Sequence, residues 1–180
     1  LPLFISNKAL ALTAVAFIAL SYSIGSLSKF WPKTFAPWLN ARKYFGLLGF
    51  SLASLHGLIS LIILTPSYYS KFFAETGSLN LIGELSLLFG VLAFFIFSIT
   101  AVASIPSVEK YLGYEKWLKT QRLGYLGLVL ILLHVFVMGF KGWLAPETWP
   151  GSLLPISLVA FIIGAIALIL KLIALIVRKR

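Results

Sequence analysis

Five apolar stretches, each reaching or approaching the roughly 20 residues a helix needs to cross a bilayer, dominate this chain of 180 residues. They cover residues 9–27, 43–64, 81–105, 121–140 and 153–177. In hydrocarbon the backbone must satisfy its own hydrogen bonds, so only helices and closed barrels survive there. These stretches are continuous rather than alternating, which selects helices. Composition agrees: 60% of the residues are hydrophobic and 11% charged, against roughly 25% charged in an average soluble domain. So little polar surface cannot cover an aqueous globule. The expected fold is an all-α membrane protein, a bundle of about five transmembrane helices. It forms one domain over residues 1–180, with the lipid bilayer as its solvent.

The net charge of +10 does not point to nucleic acid, because the basic residues gather at span ends. Of the 15 Lys and Arg, only Lys8, Lys71 and Lys141 fall on one side of the expected bundle. The rest lie in the first loop, in the polar connector 107–119, at the adjoining span ends, or in the terminal Arg178-Lys179-Arg180. Basic loops stay in the cytoplasm, so the C-terminus is expected inside and the N-terminus of this chain outside. Trp31, Trp38, Trp117, Trp143 and Trp149 all fall near span ends, as interfacial anchors do. The first span is followed, not preceded, by its basic flank, unlike a signal peptide. A span that starts outside also fits a chain that has lost an earlier helix.

Cysteine is absent, which excludes disulfides, thiolate ligation, iron–sulfur clusters and covalent haem attachment. Aspartate is absent too, so the acidic residues number only 5, and a carboxylate metal cage is not expected. Two histidines remain, His56 and His134, both inside apolar spans. His56 comes 13 residues after Lys43 and His134 comes 12 after Arg122. At 1.5 Å per residue both imidazoles sit roughly 18–20 Å from the inner boundary. Ionisable groups inside a membrane are functional by default, and two imidazoles at one depth suit the axial ligation of a single haem b. Met138 shares the helix of His134 and cannot supply the opposite ligand. Such a haem lies in the outer half of the bilayer, so a cytoplasmic donor needs a second carrier in the inner half. Gly49 on the face of His56 and Gly127 on that of His134 either leave room for a porphyrin edge or let helices pack closely.

The sequence around these histidines resembles one family. Arg42-Lys43 with Gly46-Leu47-Leu48-Gly49-Phe50 before His56 resembles the R-K-x-L-G-L-L-S-F motif of the six-transmembrane epithelial antigen of prostate (STEAP) metalloreductases. Ser104-Ile105-Pro106-Ser107-Val108 resembles that family's S-I-P-S-V. Leu123-Gly124-Tyr125 through His134 resembles its L-G-Y…H, and Gly139-Phe140-Lys141 its G-W-K. The resemblance covers residues 10–180 and corresponds to the family's last five membrane helices. It implies an oxidoreductase of metalloreductase type that passes electrons from a reduced flavin, usually FAD, through one haem to chelated ferric or cupric ion outside. It also implies a homo-oligomer, a trimer.

By the same resemblance Arg42, Lys43, Ser107 and Gln121 hold the flavin, and Lys141 stands on the substrate side. Gln121 matches after a one-residue gap, and the family's W-R-E is replaced near Tyr114-Glu115-Lys116. Arg42 and Lys43 also fit topology signalling and headgroup contact. Lys141 also fits a haem-propionate partner or snorkelling to the interface. The related NADPH oxidases carry two haems on four histidines, which two histidines cannot do. No G-x-G-x-x-G is present, so a separate NAD(P)H-dependent flavin reductase or other electron donor is required. Two other readings stay open: a haem-bearing membrane subunit passing electrons between quinol or a flavoprotein and a partner enzyme, and a helical scaffold or transporter without haem.

Overall fold

The computed structural model describes residues 2–177, apart from the side chain of Pro150; the basic tail Arg178, Lys179 and Arg180 lies outside them. The described residues are helical with short connectors, and five helices are long and apolar enough to span a membrane. The first, α1 (Pro2–Phe30), is longer than the expected span because nothing interrupts it before Trp31. Trp31 precedes Pro32 and leaves the helical region at φ −130° and ψ 71°, as residues before proline do. A short helix α2 (Pro32–Phe35) and a 3₁₀ turn (Ala36–Ala41) lead into α3 (Arg42–Ile62).

Thr65 is extended before Pro66 and starts the short α4 (Pro66–Tyr69), which continues as a 3₁₀ turn through Phe72. Asn80 then caps α5 (Leu81–Val102): its side chain accepts from the Gly83 amide at 3.0 Å, satisfying one of the free donors of the first turn. The connector 107–119 is not an irregular loop but a helix, α6 (Pro106–Arg122), started by Pro106 and bent at Gly113, whose φ is 70°. Helix α7 (Gly124–Trp143) follows, and two 3₁₀ turns lead to α8 (Ile156–Val177).

The spanning helices form a ring in which α1 packs on α3 and α8, α7 packs on α8 and α5, and α5 meets α3. Helices α3 and α7 do not pack closely on one another; α1 and α5 each touch both. In lipid such packing rests on close van der Waals fit and small residues rather than on exclusion of water. A Cβ on Gly49 would stand 2.9 Å from the backbone nitrogen of Ile18, so α1 and α3 approach almost backbone to backbone. A Cβ on Gly127 would stand 2.9 Å from the ring of Phe97 on α5. Both glycines therefore serve close helix packing. The core they border joins Ile18, Ala19 and Tyr22 to Phe97, Leu128 and Ala167. Large apolar residues such as Ile62 and Leu172 turn outward toward the bilayer.

Candidate functional site: a paired-histidine centre above a polar cavity

His56 on α3 and His134 on α7 sit on two spanning helices that do not pack closely on one another. Each is held by its Nδ1. That of His134 lies 2.7 Å from the carbonyl oxygen of Ser86 on α5, with the Ser86 hydroxyl at 3.3 Å. That of His56 lies 2.9 Å from the side-chain oxygen of Asn7 and 3.2 Å from its carbonyl oxygen. A backbone carbonyl only accepts, so Nδ1 is the protonated nitrogen in both rings. Both imidazoles then carry a lone pair on Nε2, and among the described residues neither Nε2 has a hydrogen-bond partner.

A neutral imidazole whose far nitrogen donates to a carbonyl or carboxylate is the usual arrangement of a metal-bound histidine. As donors the two rings fit a metal centre that takes neutral imidazole nitrogens. Helix α5 gives way for the ring of His134: a Cβ on Gly90 would stand 3.1 Å from its Nδ1.

Toward the end of the bundle that carries Arg42 and Gln121, a cavity of about 270 Å³ opens between α1, α3, α5 and α6. Arg42, Lys43 and Gln121 all line it. Ser107 does not; it is exposed at the start of α6, and Ser104 takes the place in the lining. Gln121 donates to the Thr100 carbonyl at 3.1 Å and the Ser104 hydroxyl at 3.0 Å, so its amide nitrogen is already committed to the end of α5. Arg42 and Ser21 exchange bonds: Arg42 Nε donates to the Ser21 carbonyl at 2.9 Å, and Ser21 Oγ donates to the Arg42 carbonyl at 2.7 Å. Lys43 pairs with Glu109 of α6 at 3.4 Å.

Reading the sequence alone missed Tyr22 and Trp117 in this lining. The indole Nε1 of Trp117 is the one buried side-chain nitrogen or oxygen among the described residues without a partner. The cavity reaches Phe50, six residues before His56 on the same helix, or about 9 Å along the axis.

At the opposite end Lys141 is exposed on the last turn of α7. A different lysine reaches the ligand helix: Lys71 donates to the carbonyl of Met138 at 2.8 Å. Its ammonium also lies 5.1 Å from the ring centroid of Phe72. Burial, with the nearby charge of Lys8 second, pushes the Lys71 pKa below its ordinary value.

Helices, paired histidines and adjoining cavity together define an integral, multi-pass membrane protein of the kind that houses redox cofactors. Comparison with known proteins places it more closely. The family described as ferric reductase like transmembrane component matches residues 9–133, ending one residue before His134, and this chain belongs to it. The chain is similar to Metalloreductase STEAP2 of Mus musculus, 28% identical over 97% of this chain and 41% of that protein. Metalloreductase STEAP2 of Homo sapiens is 27% identical over 96% of the chain and 41% of the relative. Metalloreductase STEAP3 of Rattus norvegicus is 29% identical over 78% and 34%. The chain spans about two fifths of the length of the STEAP2 relatives it matches.

Proposed function

We propose that this chain is a transmembrane electron-transfer domain built around one b-type haem, with His56 and His134 as its axial ligands. The observation that carries the reading is the pair of imidazoles, each donating from Nδ1 to an acceptor oxygen and each bare at Nε2. A haem bound there supplies one-electron chemistry. His56 and His134 would hold the group and fix its orientation, and the ligands with their surroundings would set its potential.

The cavity beside Arg42, Lys43 and Gln121 is the place for a flavin, FAD by family resemblance. Its volume of about 270 Å³ lies just below the roughly 300–1,000 Å³ of small-molecule and cofactor sites. It therefore suits the flat ring system, while the cationic side chains at its rim meet a pyrophosphate. The basic bias makes this the cytoplasmic face. A separate NAD(P)H-dependent flavin reductase or other electron donor reduces the flavin. The relatives are named metalloreductases, and by analogy the acceptor outside is a chelated ferric or cupric ion.

A reduced-minus-oxidised spectrum of the purified protein tests the ligand assignment. Wild type is expected to show a low-spin b-type signature that disappears in His56→Ala and in His134→Ala at equal protein. Full absorbance in either variant would overturn it. Orientation is tested by Glu115→Cys, which is expected to resist an impermeant thiol reagent applied outside intact cells; ready labelling reverses the topology.

A further inference from the structure

We propose that Asn7 is the positioning residue for His56, fixing its tautomer and setting how electron-rich the ligand is. The inference rests on the reading of His56 as a haem ligand. Asn7 lies on α1, in another helix from the histidine, and is only 1% exposed. A polar side chain buried at that depth needs partners, and Asn7 has a full set. Its side-chain oxygen lies 2.9 Å from His56 Nδ1. Its amide nitrogen donates to Ser60 Oγ at 2.8 Å and, at a longer 3.4 Å, to the Tyr69 hydroxyl.

Two polarities satisfy an amide between an imidazole and a hydroxyl. In one, Nδ1–H donates to the amide oxygen and the amide nitrogen donates to Ser60. In the other the amide is reversed and donates to a bare Nδ1, which places the ring proton on Nε2 and blocks ligation. The Asn7 carbonyl at 3.2 Å decides between them, because it accepts and cannot donate. In that polarity Ser60 and Tyr69 accept from the amide nitrogen and hold the side chain in place.

The two histidines differ in how this is done. His134 uses a backbone carbonyl, which no substitution removes. His56 relies chiefly on a side chain, so its half of the site is the adjustable one. An acceptor on the far nitrogen raises ligand basicity, which favours the ferric over the ferrous state and holds the potential down. Asn7 also ties the ligand to the outer surface. Tyr69 ends α4, stacks on Phe72 at 5.5 Å and meets Phe4 edge-on at 5.3 Å. A chain of hydrogen bonds therefore runs from the outer connector through Asn7 to the ligand. The bland reading, that Asn7 merely glues α1 to α3, predicts effects on stability alone.

The test is a redox titration and ferric EPR of haem-loaded protein for wild type, Asn7→Ala, Asn7→Asp and Ser60→Ala. Asn7→Ala is expected to raise the midpoint potential, alter the low-spin g-values and weaken haem retention about tenfold, the lower end of what loss of such a partner costs. Asn7→Asp keeps an acceptor facing His56 and is expected to restore retention and move the potential the opposite way. If Asn7→Ala does not fold, Ser60→Ala, which removes the shorter of the two anchors on the amide nitrogen and loosens its hold on His56, is expected to alter the g-values. Wild-type potential and g-values in every variant that folds would overturn the proposal. Loss of haem in His56→Ala alongside such invariance would sink only the role of Asn7, whereas retention of haem in His56→Ala would sink the ligand assignment itself.

Discussion

The ammonium of Lys71 donates to the carbonyl of Met138 at 2.8 Å, one helical turn beyond His134, and so pins the connector between α3 and α5 to the helix that carries the second histidine. Its burial has a thermodynamic consequence. In the unfolded chain this lysine keeps its proton up to the ordinary value of 10.5, whereas in the folded protein it gives the proton up at lower pH. In the window below 10.5 the unfolded state therefore holds more protons, and stability rises with pH. Thermal unfolding in detergent is expected to shift upward from neutral pH toward pH 10 in wild type, with a smaller rise in Lys71→Met. An equal rise in both proteins would assign it to other groups.

Gly90 is the point where α5 yields to the imidazole of His134, with 3.1 Å between the ring and the place a Cβ would take. Gly90→Ala is expected to push the ring off its axis, at a cost of about 1–3 kcal/mol as for other overpacked sites. Haem content and the low-spin spectrum should report it. Gly57, which has open space around it, is the control: Gly57→Ala should leave the spectrum unchanged.

A Cβ on Gly124 would fall on the hydroxyl of Tyr22, whose own bond goes to the Gln121 carbonyl at 3.3 Å. Gly124→Ala is therefore expected to destabilise the junction of α6 and α7 by about 1–3 kcal/mol. Gly124→Ala combined with Tyr22→Phe should recover part of the loss and no more, since the hydroxyl is gone while the ring carbons behind it still crowd the added Cβ. No recovery in the melting temperature of the double variant would contradict this account.

Lys43 is shared between Glu109 and the cavity. The ion pair is partly exposed, with side-chain accessibilities of 33% and 42%, so breaking it should cost no more than about 1 kcal/mol. Glu109→Gln is expected to leave stability nearly unchanged while tightening FAD, because it frees a cation at the rim. Lys43→Gln should weaken FAD. Flavin titration by fluorescence quenching separates the two, and identical affinities would remove Lys43 from the flavin site.

Lys141 is exposed on the last turn of α7, at the end of the bundle away from Arg42 and Gln121; if that end is the outer one, as proposed, a cation there attracts anionic chelates by steering. In Lys141→Gln, oxidation of pre-reduced haem by ferric citrate should slow and lose part of its salt dependence. Oxidation by neutral oxygen should change little. Equal rates and salt slopes in both proteins would leave Lys141 as an interfacial anchor.

The spans were legible because twenty-residue apolar runs leave a backbone in hydrocarbon no other choice. The connector 107–119 was not read as a helix because its apolar positions define no face; Pro106 as a helix start was the available signal. His56 and His134 stood out as the only ionisable rings at one depth. Their acceptors did not. Asn7 looks like a polar residue at a span edge, and Ser86 acts chiefly through its backbone carbonyl, which every residue possesses. Gly49 and Gly127 were ambiguous for a related reason, since a small residue says that something is close but not what. Ser107 was favoured over Ser104 on motif alone, and the turn between α5 and α6 puts Ser104 in the cavity.

Each histidine is steadied by the spanning helix that comes just before its own: α1 serves α3 through Asn7, and α5 serves α7 through Ser86. Biogenesis inherits a simple order from this. As the chain enters the membrane, the first helical hairpin completes one half-site and the next completes the other, with no need for either to wait. Helix α8 emerges last and packs on α1 and α7, one member of each hairpin. It therefore adds a second tie between the two halves, beside the direct contacts of α5 with α3 and of α1 with α7, and a nascent chain cut short before Ile156 has to hold their spacing by those contacts alone.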